Sequence, residues 1–201
     1  MTRYEPCFDA EKHIYHDPAG MRLEGVTDIL QGELGGFDGF PAAAAKRGQD
    51  VHAAIQAHNE GRLKAEEVLL ETWGYLECFL AAQKQLKIEI VQSEVMRYHP
   101  RYRYAGRLDA IVKIDGVMGI LDYKTGQPNK RDKWQLAAYL ELVKAENKGI
   151  QGRWNLYLRP EPAGYKLVKY EDKSDFSQFL ALFAAYQIRK NNGYIKERRE
   201  L

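Results

Sequence analysis

A chain of 201 residues with 45% hydrophobic content is long enough to bury one sizeable core and is expected to form a single domain. Its formal net charge of +2 is too small to indicate nucleic acid by itself, and two cysteines, Cys7 and Cys78, without zinc spacing argue against a disulfide-stapled, zinc-built or iron–sulfur protein. No apolar run approaches the roughly 20 residues of a membrane span, and the start, MTRYEPCFDAEKH, lacks a secretory apolar stretch, so a cytoplasmic protein without membrane attachment is expected.

In chain order, KHIYHDPAGMRLEGVTDIL predicts a short hairpin turning at Asp17 to Gly20, with Thr27 capping a brief helix. GELGGFDGFP follows as a glycine-rich loop. From Ala42 to about Glu60, Val51, Ala54, Ile55 and His58 recur at helical spacing. Val68 to Leu86 carries a second helical pattern through Leu69, Trp73, Leu76, Phe79 and Leu80. The period then changes to strands at Glu89 to Tyr98, Tyr104 to Ile114 and Val117 to Lys124. Lys133 to Lys148 returns to helix, GRWNLYLRP and GYKLVKY read as a strand pair, and Phe176 to Lys190 as a last amphipathic helix with Phe176, Phe179 and Phe183 in the core. This succession predicts an α/β protein with a central mixed sheet flanked by helices. Within one domain spanning 1–201, a hairpin and helices fill 1–88, and the sheet core and C-terminal helices fill 89–201.

The stretch GRLDAIVKIDGVMGILDYKTG sets Asp109, Asp122 and Lys124 in otherwise apolar strands, where charge costs free energy unless compensated. If Asp115 and Gly116 form a two-residue turn, Ile114 faces Val117 and, on the same count, Asp109 faces Asp122. The two carboxylates then share one face, with Lys124 beside them, while Leu108, Ala110, Val112, Ile114, Val117, Gly119, Leu121 and Tyr123 line the other. Facing carboxylates repel unless a cation lies between them, and oxygen donors favour a hard ion, Mg²⁺ or Mn²⁺. The alternative is an ordinary ion pair between Asp122 and Lys124 on a half-exposed strand.

Four elements in order, RGQDVHAAI, GRLD, LDYKTG and QLAAY, resemble the PD-(D/E)XK nuclease superfamily in its RecB-like branch, with the lead-in HIYHDPAGMRLEGVTDIL resembling small phage and prophage exonucleases. The resemblance implies a restriction-endonuclease-like core with an N-terminal helical extension. It also implies that His52, Asp109, Asp122 and the Tyr123 carbonyl bind the metal and that Lys124 is the catalytic lysine. Glu94 is placed near the metal, and Gln135 and Tyr139, four apart on one helix face, touch DNA or brace the site. The implied activity is Mg²⁺- or Mn²⁺-dependent hydrolysis of DNA, as single strands or duplex ends, in phage or bacterial replication, recombination or repair, beside a recombination or replication protein. A catalytically silent DNA-binding module on the same scaffold is the alternative.

RYHPRYRYAGR alternates Arg97, Arg101, Arg103 and Arg107 with tyrosines, a combination suited to phosphates and stacked bases, and equally to a solvated hairpin. Arg47, ahead of His52, and Lys130 and Arg131, after the DYK element, are further candidate phosphate contacts, whereas KERRE reads as a charged tail. The KTG triplet of acyl-transfer enzymes stands here without an SxxK partner, and no phosphate-binding GxxxxGK[ST] loop is present.

Overall fold

The computed structural model describes residues 4–35, 41–160 and 164–195. Its elements are β1 (Cys7–Asp9), β2 (Ile14–His16), β3 (Arg22–Gly25), α1 (Val26–Leu34), α2 (Ala42–Asn59), a 3₁₀ turn (Ala65–Glu67), α3 (Leu70–Gln85), β4 (Glu89–Tyr98), β5 (Tyr104–Ile114), β6 (Val117–Lys124), α4 (Asp132–Lys144), β7 (Gly152–Arg159), β8 (Gly164–Lys169) and α5 (Asp175–Asn191). Among the described residues the eight strands form one mixed sheet in the order β1-β2-β3-β5-β6-β7-β8, with β4 paired to the other edge of β5. None of the described helices is long and apolar enough to cross a membrane.

The central hairpin has the expected turn. Asp115 and Gly116 both adopt positive φ, 49° and 79°, the twist that a two-residue connection needs, and Ile114 pairs with Val117. The ladder runs regularly up to Ala110 with Leu121. Beyond that rung β5 changes neighbour, because its first residues, Tyr104 and Ala105, pair in parallel with Glu24 and Gly25 of β3. The ladder thus ends before the expected rung of Asp109 with Asp122, and Asp109 stands in a fork between strands.

Helices cover both faces. Val51, Ile55, Leu76, Phe79 and Ala82 of α2 and α3 pack on Ala110, Val112, Ile114, Leu121, Tyr123, Trp154, Leu156 and Leu158. On the opposite face α1, α4 and α5 enclose Tyr104, Leu108, Ile111 and Ile120. Each such large side chain contributes roughly 1.5–3 kcal/mol by leaving water.

Further expectations need correction. Leu108 packs with α1, α4 and α5, not beside Ala110, since strict alternation lapses where the strands diverge. Thr27 is no cap: α1 starts at Val26 directly after the extended Gly25, without a side-chain cap bond. Helix α4 ends at Lys144 rather than Lys148, and the Asn147 side chain accepts the Gly149 N–H at 2.9 Å in a local turn that competes with the helix. Gly32, Glu33 and Leu34 of the expected glycine-rich loop are instead the last residues of α1; residues 36–40 of that loop and the tail from residue 196 lie outside the described residues.

Candidate active site

The strand fork explains how charge is accommodated in the sheet. The Tyr123 N–H donates to Asp109 Oδ2 at 2.6 Å, so a side chain completes the bonding where the β5–β6 rungs have ended. Asp122 continues the β6–β7 ladder, and its Oδ2 meets Lys124 Nζ at 2.6 Å. Alternate residues share a face, so Asp122 and Lys124 both lie under α4.

His52 arrives from the other layer. Its neighbours Val51, Ala54 and Ile55 anchor α2 on the sheet, which sets His52 at the edge of the buried stripe, over the fork. Nε2 lies 2.9 Å from the Tyr123 carbonyl and Nδ1 lies 3.2 Å from Asp109 Oδ1. Both ring nitrogens face acceptors, the arrangement of an imidazolium. Burial alone would lower the His52 pKa, but the Asp109 carboxylate overrides it and raises it to about 9. Burial pushes the Asp109 carboxyl up, and the His52 charge and the Tyr123 N–H more than reverse this. Asp122 is pushed up to about 6, chiefly by burial, with Lys124 opposing and Asp109 adding to the rise.

Helix α4 supplies the rest of the frame. Lys124 Nζ donates to Gln135 Oε1 at 2.9 Å, and Gln135 Nε2 donates to the Tyr139 hydroxyl at 3.2 Å. Of the two roles expected for Tyr139, contact with DNA is corrected: the residue is only 4% exposed, its ring packed into the core. It braces the site.

Glu94 lies on the rung of β4 that faces Asp109, between Ser93–Ala110 and Val95–Leu108. Its φ of +51° is left-handed, a conformation costing a non-glycine residue of order 1–3 kcal/mol and often found at functional sites. Burial, helped by the Asp109 charge, raises its pKa to about 7, and Arg107 Nη1 stands 3.7 Å from Oε2.

The candidate phosphate contacts divide. Arg107 is exposed, 5.0 Å above the Phe8 ring, and Lys130 is exposed ahead of α4. Arg47 lies over the Tyr75 ring at 5.7 Å, and Arg131 Nη1 reaches the Gly35 carbonyl at 3.4 Å. Arg103 is bound to Asp17 Oδ2 at 2.9 Å, and Arg97 is buried on Glu146. Sequence reasoning missed Asp132, Asn155 and Tyr157, a buried polar group beneath Lys124. The signal available was polar residues at alternate positions of a strand reading as core.

An imidazole, two carboxylates and a main-chain carbonyl are donors suited to a hard or borderline divalent ion. Among the described residues no three His, Cys, Asp or Glu side chains close around one point. The His52 imidazolium and the Lys124 ammonium lie against the carboxylates instead. The donor chemistry fits a metal, which His52 would bind in its neutral form.

A family model described as the PD-(D/E)XK nuclease superfamily matches residues 40–192. No curated protein matches the chain. Among solved structures, the chain is similar to a "Putative exonuclease" from Eubacterium rectale, with a TM-score of 0.58 and 13% identity over 87% of this chain and 83% of that one. It is also similar to LHK-Exo in complex with dAMP, with a TM-score of 0.50 and 12% identity over 85% of this chain and 89% of that one. At these identities the likeness is one of fold.

Proposed function

Because the chain belongs to the PD-(D/E)XK nuclease superfamily, we propose that it is a divalent-metal-dependent deoxyribonuclease, built as one domain and acting as an exonuclease or end-processing enzyme. The observation that carries the reading is the placement of Lys124 on Asp122 beside the His52–Asp109–Tyr123 group in the strand fork. The described exonuclease neighbours and the dAMP held by one of them support DNA ends as substrate. The setting we propose is cytoplasmic phage or bacterial DNA replication, recombination or repair, with the protein beside a recombination or replication partner.

His52, Asp109, Asp122 and the Tyr123 carbonyl would hold Mg²⁺ or Mn²⁺. When bound, such an ion supplies charge neutralisation at the phosphate and a water of lowered pKa. In the hydrolysis water adds to phosphorus, the bond from phosphorus to one ester oxygen breaks, and that oxygen takes a proton. Lys124 has three donors, of which Asp122 and Gln135 engage two, so the third serves a phosphate oxygen or the attacking water. Asp122 and Gln135 hold the amine at that place. Glu94 flanks Asp109 and adds a third carboxylate to the site, and Arg47, Arg107, Lys130 and Arg131 draw in the DNA backbone.

End-labelled single- and double-stranded oligonucleotides incubated with Mg²⁺, Mn²⁺ or EDTA test this, alongside Lys124→Ala and Asp109→Asn. Cutting is expected only with metal, with a loss of about 10²- to 10⁴-fold in Lys124→Ala. DNA bound equally with and without metal and never cut would leave only a binding module.

A further inference from the structure

On its α4 face β7 places three buried polar residues in succession, Arg153, Asn155 and Tyr157, where its other face has Trp154, Leu156 and Leu158. In the parallel β6–β7 ladder Asn155 is the partner of Asp122, and Tyr157 is the partner of Lys124. The polar run thus lies beside the two charged residues of β6.

The Tyr157 hydroxyl is a junction. It donates to Asp132 Oδ2 at 2.7 Å, accepts from Asn155 Nδ2 at 3.1 Å, and lies 3.1 Å from the Tyr170 hydroxyl. One donor and two acceptor positions are all that a phenol offers, so with Tyr170 donating every position is used and the hydroxyl has one orientation. Tyr157 and Asn155 are fully buried. Asp132 Oδ2 also accepts the Asn129 N–H at 2.9 Å, which binds the first turn of α4 to the loop before it. Gln135 lies one turn further along the same helix and receives Lys124 Nζ. Tyr157 is therefore a contact that fixes the first turn of α4 against β7, three residues from Gln135.

We propose that Tyr157 is a positioning residue: through Asp132 it locks the start of α4 against β7, and so holds Gln135 on the Lys124 amine. This rests on the nuclease reading above. What the brace needs at Asp132 is a hydrogen-bond acceptor. An amide oxygen at Oδ2 accepts the same two donors, so Asp132→Asn keeps the brace and Asp132→Ala removes it.

The test compares the full chain with Tyr157→Phe, Asp132→Ala and Asp132→Asn, using steady-state cleavage of an end-labelled oligonucleotide with Mn²⁺ and hydrogen exchange of peptides covering α4. In Tyr157→Phe and Asp132→Ala, kcat is expected to fall about 10- to 100-fold with KM little changed. Exchange should quicken in the first turn of α4 and nowhere else, and in Asp132→Asn it should stay near that of the unsubstituted enzyme. If Asp132→Ala does not fold, Tyr157→Phe, which loses a single oxygen, decides alone. A normal kcat in Tyr157→Phe overturns the proposal, whether or not α4 loosens. So does a lowered kcat in Tyr157→Phe with α4 exchange unchanged, or α4 exchange in Asp132→Asn as fast as in Asp132→Ala. An unsubstituted enzyme that cuts nothing under any metal is a different failure: the nuclease reading falls, and the positioning role with it.

Discussion

Gly106 lies directly under the ring of Tyr139: a Cβ built at residue 106 would stand 2.5 Å from Cε1 of that ring. The glycine of the GRLD element and the tyrosine of the QLAAY element are thus one contact, which lets α4 approach β5 closely enough for Gln135 to meet Lys124. Tyr139 is buried and has no room to retreat. Gly106→Ala is therefore expected to lower stability by about 1–3 kcal/mol, the usual cost of overpacking. Cleavage should fall as well, because the displaced ring carries Gln135 with it through their hydrogen bond. Denaturant unfolding and steady-state kinetics check both, and an unchanged unfolding midpoint would remove this contact from the account.

Metal should stabilise the fold as well as drive the reaction. Asp109, Asp122 and Glu94 are carboxylates in and around one fork; burial raises the pKa of Asp122 and Glu94, while against burial the His52 charge holds Asp109 below its usual value. A cation that binds only the folded chain adds RT ln(1 + [L]/Kd), about 2.7 kcal/mol at a hundred times Kd. Mn²⁺ should accordingly raise the Tm of the EDTA-treated protein, and Asp109→Asn should abolish that rise while remaining folded. Binding should also release a proton from His52, whose pKa the Asp109 carboxylate raises to about 9 against burial, so affinity grows as pH rises from 6 to 9. An equal Tm rise in Asp109→Asn would place the ion elsewhere.

The basic residues near the site are not equivalent, and salt dependence separates them. Lys130 is exposed in the loop after the DYK element, while Arg97 is buried with Nε 2.9 Å from Glu146 Oε2. Replacing Lys130 by alanine should reduce the slope of log K against log salt for DNA by about one, the signature of one lost phosphate contact. Arg97→Ala should leave that slope unchanged and destabilise the fold, since it removes the cation on Glu146 Oε2 and leaves that carboxylate, among the described residues, only the Tyr4 N–H. Binding titrations in increasing KCl check this. A steeper loss of slope in Arg97→Ala would invert the assignment.

The hairpin was legible because its information is local. Asp115-Gly116 fixes the turn, and alternation fixes the register down to Ala110–Leu121. Leu108 fell outside that rule because β5 leaves β6 for β3, a strand some 80 positions earlier in the chain, and no local pattern announces a change of neighbour. His52 reached the site only through the family resemblance, since its contact with the Tyr123 carbonyl spans 71 positions. The Tyr157 junction was invisible for a related reason: parallel pairing of β6 with β7 is made across a helix, and its register follows from packing rather than from a turn. Arg97 and Arg103 look alike in RYHPRYRYAGR. Their partners Glu146 and Asp17 are distant in sequence, so which arginine is committed to the fold appears only in three dimensions.

The N-terminal hairpin is fastened to β5 by a charge that pH can remove. Asp17 Oδ1 accepts the N–H groups of Ala19 and Met21, at 3.0 and 2.8 Å, and Oδ2 accepts Arg103 Nη1 at 2.9 Å. The Arg103 hydrogen bond, followed by that of Met21, holds the Asp17 carboxyl below its usual value. A carboxyl depressed on folding binds its proton less readily in the folded chain, so its stabilisation is complete above the unfolded pKa of about 3.9 and disappears as pH drops through the folded value. Asp17→Asn keeps an oxygen for the two N–H groups and loses the charge. It is therefore expected to melt below the unsubstituted protein at pH 7, with the gap closing as pH falls under about 4. Arg103→Ala should show the same closing gap, because it removes the other half of the pair, and should leave the salt slope of DNA binding intact. Thermal melts from pH 2.5 to pH 7 decide the matter: a Tm difference that stays constant over that range would mean the bond to Arg103 contributes through packing and not through charge.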